Sequence, residues 1–384
     1  MVATNNGYPF LTVGKRNNNI GAFYALLRAG LWGEEANLLS YGDVDFSAIY
    51  QLAEEQSSVG LITAGLENVK DIQVPKDTLL TFIGRTMQIE QQNKAMNEFI
   101  GVLIRFLRKN AIYSLLVKGQ GVAQCYENPL WRACGDVDLL LDSDNYELAK
   151  SVLTPKAVDV KTEYTYFKHL AMTIDGWEVE LHGTRQSRLS RRIDRELDII
   201  QEGCFKGGDV RAWQNGDTDI FLPGVNADML FVFTHILHHF FFEGVGVRQI
   251  CDWCRLLWTY RDDVDVALLE RRLRKMQLMS EWRTFAAFAV DWLGMPIEAV
   301  PLYSDSKKWS RKAARINSFV LKVGNFGHNN KKISRHKPYL IRKFLSLCEH
   351  LVYVLRQFMI FPLDSLRFMG EVIRSGWHGV MKGE

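Results

Sequence analysis

The stretch from Arg132 through Gly135-Asp136-Val137-Asp138 into Leu139-Leu140-Leu141 constrains this chain more than any other. Successive side chains of a strand face opposite ways, so Asp136 and Asp138 share one face while Val137 and Leu139 turn to the other and enter a core. Two carboxylates separated by one apolar residue thus set hard oxygen donors side by side at the head of a buried strand. Such a pair suits Mg²⁺, which keeps part of its water and takes phosphate oxygens in its remaining positions. Upstream, Tyr113 to Val117 reads as a strand and Lys118-Gly119-Gln120-Gly121 as the turn leaving it. Glycine there lets backbone amides approach an anion closely. Lys118 or Arg132 adds charge against phosphate oxygens, arginine being better suited to a two-point contact. An isolated Asp-x-Asp is common at solvated strand ends. The order of strand, glycine turn, helix-length spacer, arginine and acidic strand is what points to phosphoryl or nucleotidyl transfer.

A second acidic strand lies downstream. Leu170 to Ile174 and Trp177 to His182 read as a hairpin joined by Asp175-Gly176, a two-residue turn that suits right-twisted strands. Alternation puts Glu178, Glu180 and His182 on one face and Val179 and Leu181 on the other. Either glutamate is able to complete a metal site from a neighbouring strand. His182 reads as a phosphate ligand, a group that orients Glu180, a base, or a structural histidine at the strand end. Lys168 and His169, just before the hairpin, are weaker candidates of the same kind and are not taken as catalytic.

These segments together resemble the DNA polymerase β-type nucleotidyltransferase superfamily, whose signature is an apolar residue, Gly-Gly or Gly-Ser, a spacer, and Asp-apolar-Asp/Glu-apolar. More narrowly, the chain resembles an uncharacterised bacterial nucleotidyltransferase family, through Lys118-Gly119, Tyr126, Arg132, Gly135 to Asp138 and Glu180-Leu181-His182. The helix-forming stretch from Asp228 to His235, the turn at Gly244 to Gly246, and Arg248-Gln249-x-x-Asp252-Trp253 extend the likeness. The resemblance implies an α+β fold: a small mixed β-sheet nucleotidyltransferase core flanked by N-terminal and C-terminal helical regions. It selects Glu180 over Glu178 and gives Asp136, Asp138 and Glu180 as catalytic metal ligands for Mg²⁺, with Mn²⁺ as an alternative. It implies nucleotide contacts from Lys118, Gly119, Gln120, Arg132, His182 and Arg248, although Gln120 stands where the superfamily has a small residue. An NTP is the implied donor. Because such genes often accompany surface-polysaccharide genes, a sugar or sugar phosphate is the implied acceptor.

A chain of 384 residues, 47% hydrophobic, has enough apolar mass for several packed units. The pattern divides it into a helical region over 1–92, the nucleotidyltransferase core over 93–205 and a mostly helical domain over 206–384. Apolar residues at three- and four-residue spacing predict helices over Asn19 to Trp32, Phe46 to Gln56 and Leu79 to Lys109, with Met96, Phe99, Ile100, Leu103, Phe106 and Leu107 on one stripe. Asn145 to Leu153 reads as a helix between the acidic strand and the hairpin. A run of arginines, Arg185, Arg188, Arg191, Arg192 and Arg195, reads as a solvated face or a contact for an acidic substrate. The six cysteines form no disulfide framework, and Cys251-x-x-Cys254 lies in an apolar helical pattern where core thiols are expected.

The net charge of +3 permits contact with nucleic acid without favouring it. The opening residues lack a secretory pattern, and the most apolar stretch, Met229 to Phe242, is short for a span and holds three histidines, so a cytoplasmic protein is expected. The basic, aromatic segment after Lys331 reads as a helix packed on the second domain or as a peripheral contact with an anionic membrane. Three functions fit these residues: nucleotidyl transfer to a hydroxyl or phosphate acceptor, a toxin-like transfer to tRNA or protein, and a non-catalytic nucleotide-binding scaffold.

Overall fold

The computed structural model describes residues 15–164, 168–187, 189–242, 244–324, 355 and 357–367. The fold is α+β. Four helices open it: α1 (Lys15–Trp32), α2 (Phe46–Glu55), α3 (Val59–Leu66) and the long α4 (Lys76–Lys109). Asp45 caps α2 by accepting from the amides of Ser47 and Ala48 at 3.0 and 3.1 Å, which satisfies donors that a helix start leaves open. The helices α1 and α3 touch through their backbones: a Cβ on Gly65 would lie 2.0 Å from the Leu26 carbonyl oxygen, so only glycine fits there.

One sheet of five strands carries both acidic segments. Its strands are β1 (Leu115–Val117), β2 (Asp136–Leu140), β3 (Asp159–Val160), β4 (His169–Ile174) and β5 (Trp177–His182), arranged β1-β2-β5-β4-β3. The pair β2 and β5 is parallel and the other neighbours are antiparallel. Asp175 and Gly176 both have positive φ, 50° and 83°, which is what a two-residue hairpin turn of the favoured hand demands. A short helix, α5 (Gly119–Ala123), leaves β1, and α6 (Ser143–Leu153) leaves β2.

The two faces of the sheet enter different cores. Val137, Leu139, Val179 and Leu181 are fully buried against one face with Met96, Ile100, Leu103 and Leu107 of α4 and Tyr146 and Ala149 of α6. Burying each such aliphatic side chain contributes about 2 kcal/mol. On the other face Leu115, Val117 and Leu140 join the larger core formed with α1, α3 and the C-terminal helices. Helix α4 runs through residue 92 without a break, so the N-terminal helices and the sheet share an element.

The second half, expected to be mostly helical, begins after α7 (Arg191–Lys206) with a hairpin: β6 (Val210–Asn215) and β7 (Thr218–Pro223), turning at Gly216. It packs on β1 and α4, and the Arg108 guanidinium ties it down through the Asp219 carbonyl. Helices α8 (Val225–Phe242), α9 (Val247–Thr259), α10 (Val266–Met276), α11 (Met279–Asp291) and α12 (Lys307–Val323) complete the described fold. Buried residues fall all round α8, which makes it the axis of this half. Cys251 and Cys254 are free thiols wholly buried in α9, and burial pushes both well above the ordinary thiol value. No described helix is long and apolar enough to cross a membrane. Residues 331–354 and Phe368 of the basic aromatic segment lie outside the described residues; Ile360 and Phe361, at its end, are buried in the core with α8.

Candidate active site

The parallel pairing of β2 with β5 sets Asp136 beside Glu178 and Asp138 beside Glu180. Since neighbouring strands in register present the same face, three carboxylates converge. One oxygen from each of Asp136, Asp138 and Glu180 lies within 4.8 Å of the others. Lys118 arrives from the end of β1, where Val117 pairs with Asp138, and its Nζ stands 2.8 Å from Asp138 Oδ1. The Lys118 backbone has φ 59° and ψ −143°, a conformation that a residue with a side chain adopts only under constraint. Gly119 comes next at φ +41°, and a Cβ there would press on Cys134 Sγ at 3.3 Å and approach the Asp136 carbonyl at 3.5 Å. The Lys-Gly turn therefore lies directly on the entry to the acidic strand.

Charge is unevenly balanced here. Burial works against the ionised form of Asp138, which is 2% exposed, yet the Lys118 ammonium and a 2.7 Å bond from His182 Nε2 hold its carboxyl below the usual range. Glu180 behaves alike: burial opposes its charge, while bonds from His169, at 3.2 Å, and His182 keep it well down. Asp136 goes the other way. The neighbouring Asp138 charge, then burial, push it above the ordinary carboxylate value. A crowded acidic group with one member driven up and two held down is short of positive charge, and its donors are all hard oxygens. The trio fits a divalent cation.

In front of the trio lies a cavity of about 600 Å³. Lys118, Gly119, Asp136 and Asp138 form its sheet wall, His235, Arg248, Gln249 and Asp252 come from α8 and α9, and Glu54, Arg85 and Gln92 come from α2 and α4. Also on the lining, Asp252 is saturated with partners. The Arg132 fork binds it through Nε at 3.0 Å and Nη2 at 2.8 Å, the Tyr126 hydroxyl donates at 2.8 Å, and Arg248 Nη1 donates at 3.2 Å. Burial opposes the Asp252 charge, but Arg132 and Arg248 hold the carboxyl below the usual range. Arg248 Nε is buried with no partner. Packing around His235, with the Lys118 charge next, drives its imidazole well below the ordinary value.

Asp136, Asp138, Lys118, Gly119, Arg132 and Arg248 thus border one cavity, with Glu180 and His182 in contact with its acidic wall. Gln120 does not join them: it is 1% exposed and its Nε2 donates to Asn93 Oδ1 at 2.7 Å, toward α4. Arg132 reaches the cavity with its fork already on Asp252. Glu178 lines the edge and pairs with Lys161. The arginine run divides: Arg191 and Arg195 are exposed four residues apart on α7, Arg185 is buried beside the Phe231 carbonyl, Arg192 pairs with Asp364, and Arg188 is outside the described residues. His169, only a weaker candidate in the sequence, lies 3.2 Å from Glu180, and a signal for its place is present. Once Asp175-Gly176 is the turn, counting outward pairs His169 with His182. Glu54, Arg85 and Gln92 carry no local motif that would mark them.

A mixed sheet whose adjacent parallel strands bear Asp-x-Asp and Glu, with a Lys-Gly turn laid against them, is the core of a nucleotidyltransferase. The model of an uncharacterised nucleotidyltransferase family matches residues 42–294, more than half of the chain, and the chain belongs to that family. The match begins ahead of α2, so the N-terminal helices that wall the cavity are part of the family's unit. No curated protein and no solved structure matches the chain.

Proposed function

We propose that this protein transfers a nucleoside monophosphate from an NTP to a small acceptor bearing a hydroxyl or phosphate, releasing pyrophosphate. The observation that carries the reading is the trio of Asp136, Asp138 and Glu180 beside Lys118 at the wall of the cavity. Mg²⁺ is the cation we assign to Asp136 and Asp138, with Mn²⁺ as a substitute; when bound it neutralises phosphate charge and orients the triphosphate. Lys118, resting on Asp138 in this structure, is the group that turns to a phosphate oxygen as the nucleotide enters. The unpartnered Nε of Arg248 offers a further donor from α9. Glu180, set beside Asp138 by the parallel strands and with an oxygen within 4.8 Å of both aspartates, we assign to cation binding.

A volume of about 600 Å³ belongs with small-molecule sites. This supports a small acceptor over tRNA or protein, and the polar end formed by Glu54, Arg85 and Gln92 suits a hydroxyl-rich one. A sugar or sugar phosphate of surface-polysaccharide synthesis is the acceptor we favour, on the family resemblance of the sequence. Calorimetric titration of the four NTPs with Mg²⁺, into wild type and Asp136→Ala/Asp138→Ala, tests the reading while pyrophosphate release is followed. Metal-dependent binding of one NTP, lost in the double variant, identifies the donor. Folded wild type that binds no NTP would overturn the proposal, binding without pyrophosphate release under any acceptor would leave a scaffold, and labelled tRNA or protein would redirect it to macromolecules.

A further inference from the structure

Glu180 belongs to two clusters at once. Besides the carboxylate trio, His169, Glu180 and His182 present one donor atom each within 4.8 Å of one another. The hairpin explains why. His169 and His182 are direct cross-strand partners, and the backbone bonds flanking them run from Gly183 N to the Lys168 carbonyl and from His169 N to the Tyr164 carbonyl. The two residues therefore form a pair without mutual backbone bonds, the arrangement that brings facing side chains closest. Their rings stack with centroids 4.8 Å apart, and Glu180, two residues before His182 on the same face, lies beneath both.

The hydrogen bonding of this cluster does not close. Nε2 of His169 is 3.2 Å and Nε2 of His182 is 3.4 Å from the same oxygen, Glu180 Oε2, while His182 Nε2 is also 2.7 Å from Asp138 Oδ1. A ring nitrogen carries one proton, so His182 cannot serve both carboxylates. Separations of roughly 3 to 3.5 Å are those of adjacent donors around one ion with bonds near 2.1 Å. Two imidazole nitrogens with one carboxylate are a poor set for Mg²⁺, which takes oxygen, and a good set for a borderline transition cation.

We infer that His169, Glu180 and His182 form a second cation site, selective for a transition metal such as Mn²⁺, Co²⁺ or Zn²⁺ over Mg²⁺. The site shares an acidic wall with Asp136 and Asp138, and its part in transfer chemistry, next to the acceptor rather than the triphosphate, rests on the proposed nucleotidyl transfer. Its existence does not.

The test is a Mn²⁺ titration of the full chain without nucleotide, read by electron spin echo modulation for nitrogen in the metal's coordination shell, together with Zn²⁺ affinity by chelator competition. Wild type and Asp136→Asn should both show nitrogen modulation. His169→Gln and His182→Gln, which keep a polar side chain at each position, should lose or halve it and weaken Zn²⁺ at least about tenfold. His235→Asn checks the other close imidazole pair, His235 and His239 at 3.0 Å, and should change nothing. Zn²⁺ affinity that is unchanged in both His169→Gln and His182→Gln, or nitrogen modulation that tracks His235 instead of His169, overturns the inference. If the nitrogen-bound metal is present while no NTP binds, the metal site stands and the nucleotidyl-transfer reading fails.

Discussion

Two buried aspartates border the same cavity, Asp138 at 2% exposure and Asp252 at 5%, and they are built for different work. Asp252 has Arg132, Arg248 and Tyr126 around it, so its charge is matched by cations and donors before any ligand arrives. Asp138 has Lys118 and His182, but it also has Asp136 and Glu180, and this crowding of carboxylates pushes Asp136 above its ordinary value. Buried charge that is fully compensated holds elements together, here α9 to the segment carrying Arg132. Buried charge left in excess is a place for a cation. Burial alone does not separate the two cases; the balance of partners does.

The sharpest test of that contrast is Asp136→Asn, where activity and stability should part company. Nucleotidyl transfer should fall by about three orders of magnitude, roughly 4 kcal/mol of transition-state stabilisation. The melting temperature at neutral pH should hold or rise, because the fold disfavours the charged form of Asp136 and the amide removes that charge. A melting temperature that drops as far as for a lost strut would erase the distinction. Asp252→Ala should do the reverse. It strands the Arg132 guanidinium without its partner, and denaturant unfolding should register a loss of about 3–5 kcal/mol. Asp252→Asn, which still accepts from Tyr126, should lose less than alanine does.

Gly119→Ala probes the turn that joins the two halves of the site. At φ +41° the new methyl is strained and presses on Cys134 Sγ, so a loss of about 1–2 kcal/mol in stability is expected by thermal melting. A larger proportional loss in NTP affinity should accompany it, since Lys118 is carried on the same turn. If stability falls and affinity does not, the turn is structural only.

Much of the fold and of the acidic wall is legible in local sequence. Asp136-Val137-Asp138 alternation, the Asp175-Gly176 turn and the apolar stripe of α4 are short-range patterns, and each becomes the element it specifies. The β6–β7 hairpin is equally local: Asn215-Gly216 between alternating segments is a turn signal, masked by the helical character of the chain after it. Gln120 misleads for a different reason. Its neighbours face a cavity, but α5 rotates its side chain toward Asn93, and helix phase at so short an element is not readable from spacing. Glu54, Arg85 and Gln92 reach the cavity from helices far away in sequence, and only tertiary packing brings them there. The pairing of Arg132 with Asp252 spans 120 positions and is beyond any window.

A further effect, spread over pH, concerns His235, which lines the cavity from α8. Packing, then the charge of Lys118, with His239, Arg185 and His238 adding less, keeps its imidazole neutral well below the ordinary value of 6.5. In the unfolded chain the ring takes its proton near that ordinary value, so below it the unfolded state binds more protons than the folded one. Stability is then lost as pH falls from 6.5, at up to about 1.4 kcal/mol per pH unit. Asp252, Asp138 and Glu180, whose carboxyls are held down, contribute a separate loss that begins only below about 4 as the unfolded chain takes up protons. Glu281, whose carboxyl burial pushes well above the ordinary value, adds an opposite gain that both proteins share, so between pH 7 and 5 the wild-type melting curve should fall relative to that of His235→Asn. A bound triphosphate brings negative charge toward Lys118 and makes protonated His235 easier to tolerate, so NTP with Mg²⁺ should narrow that difference. Equal slopes for wild type and His235→Asn would mean that the ring titrates normally and that the cavity is wetter than its lining implies.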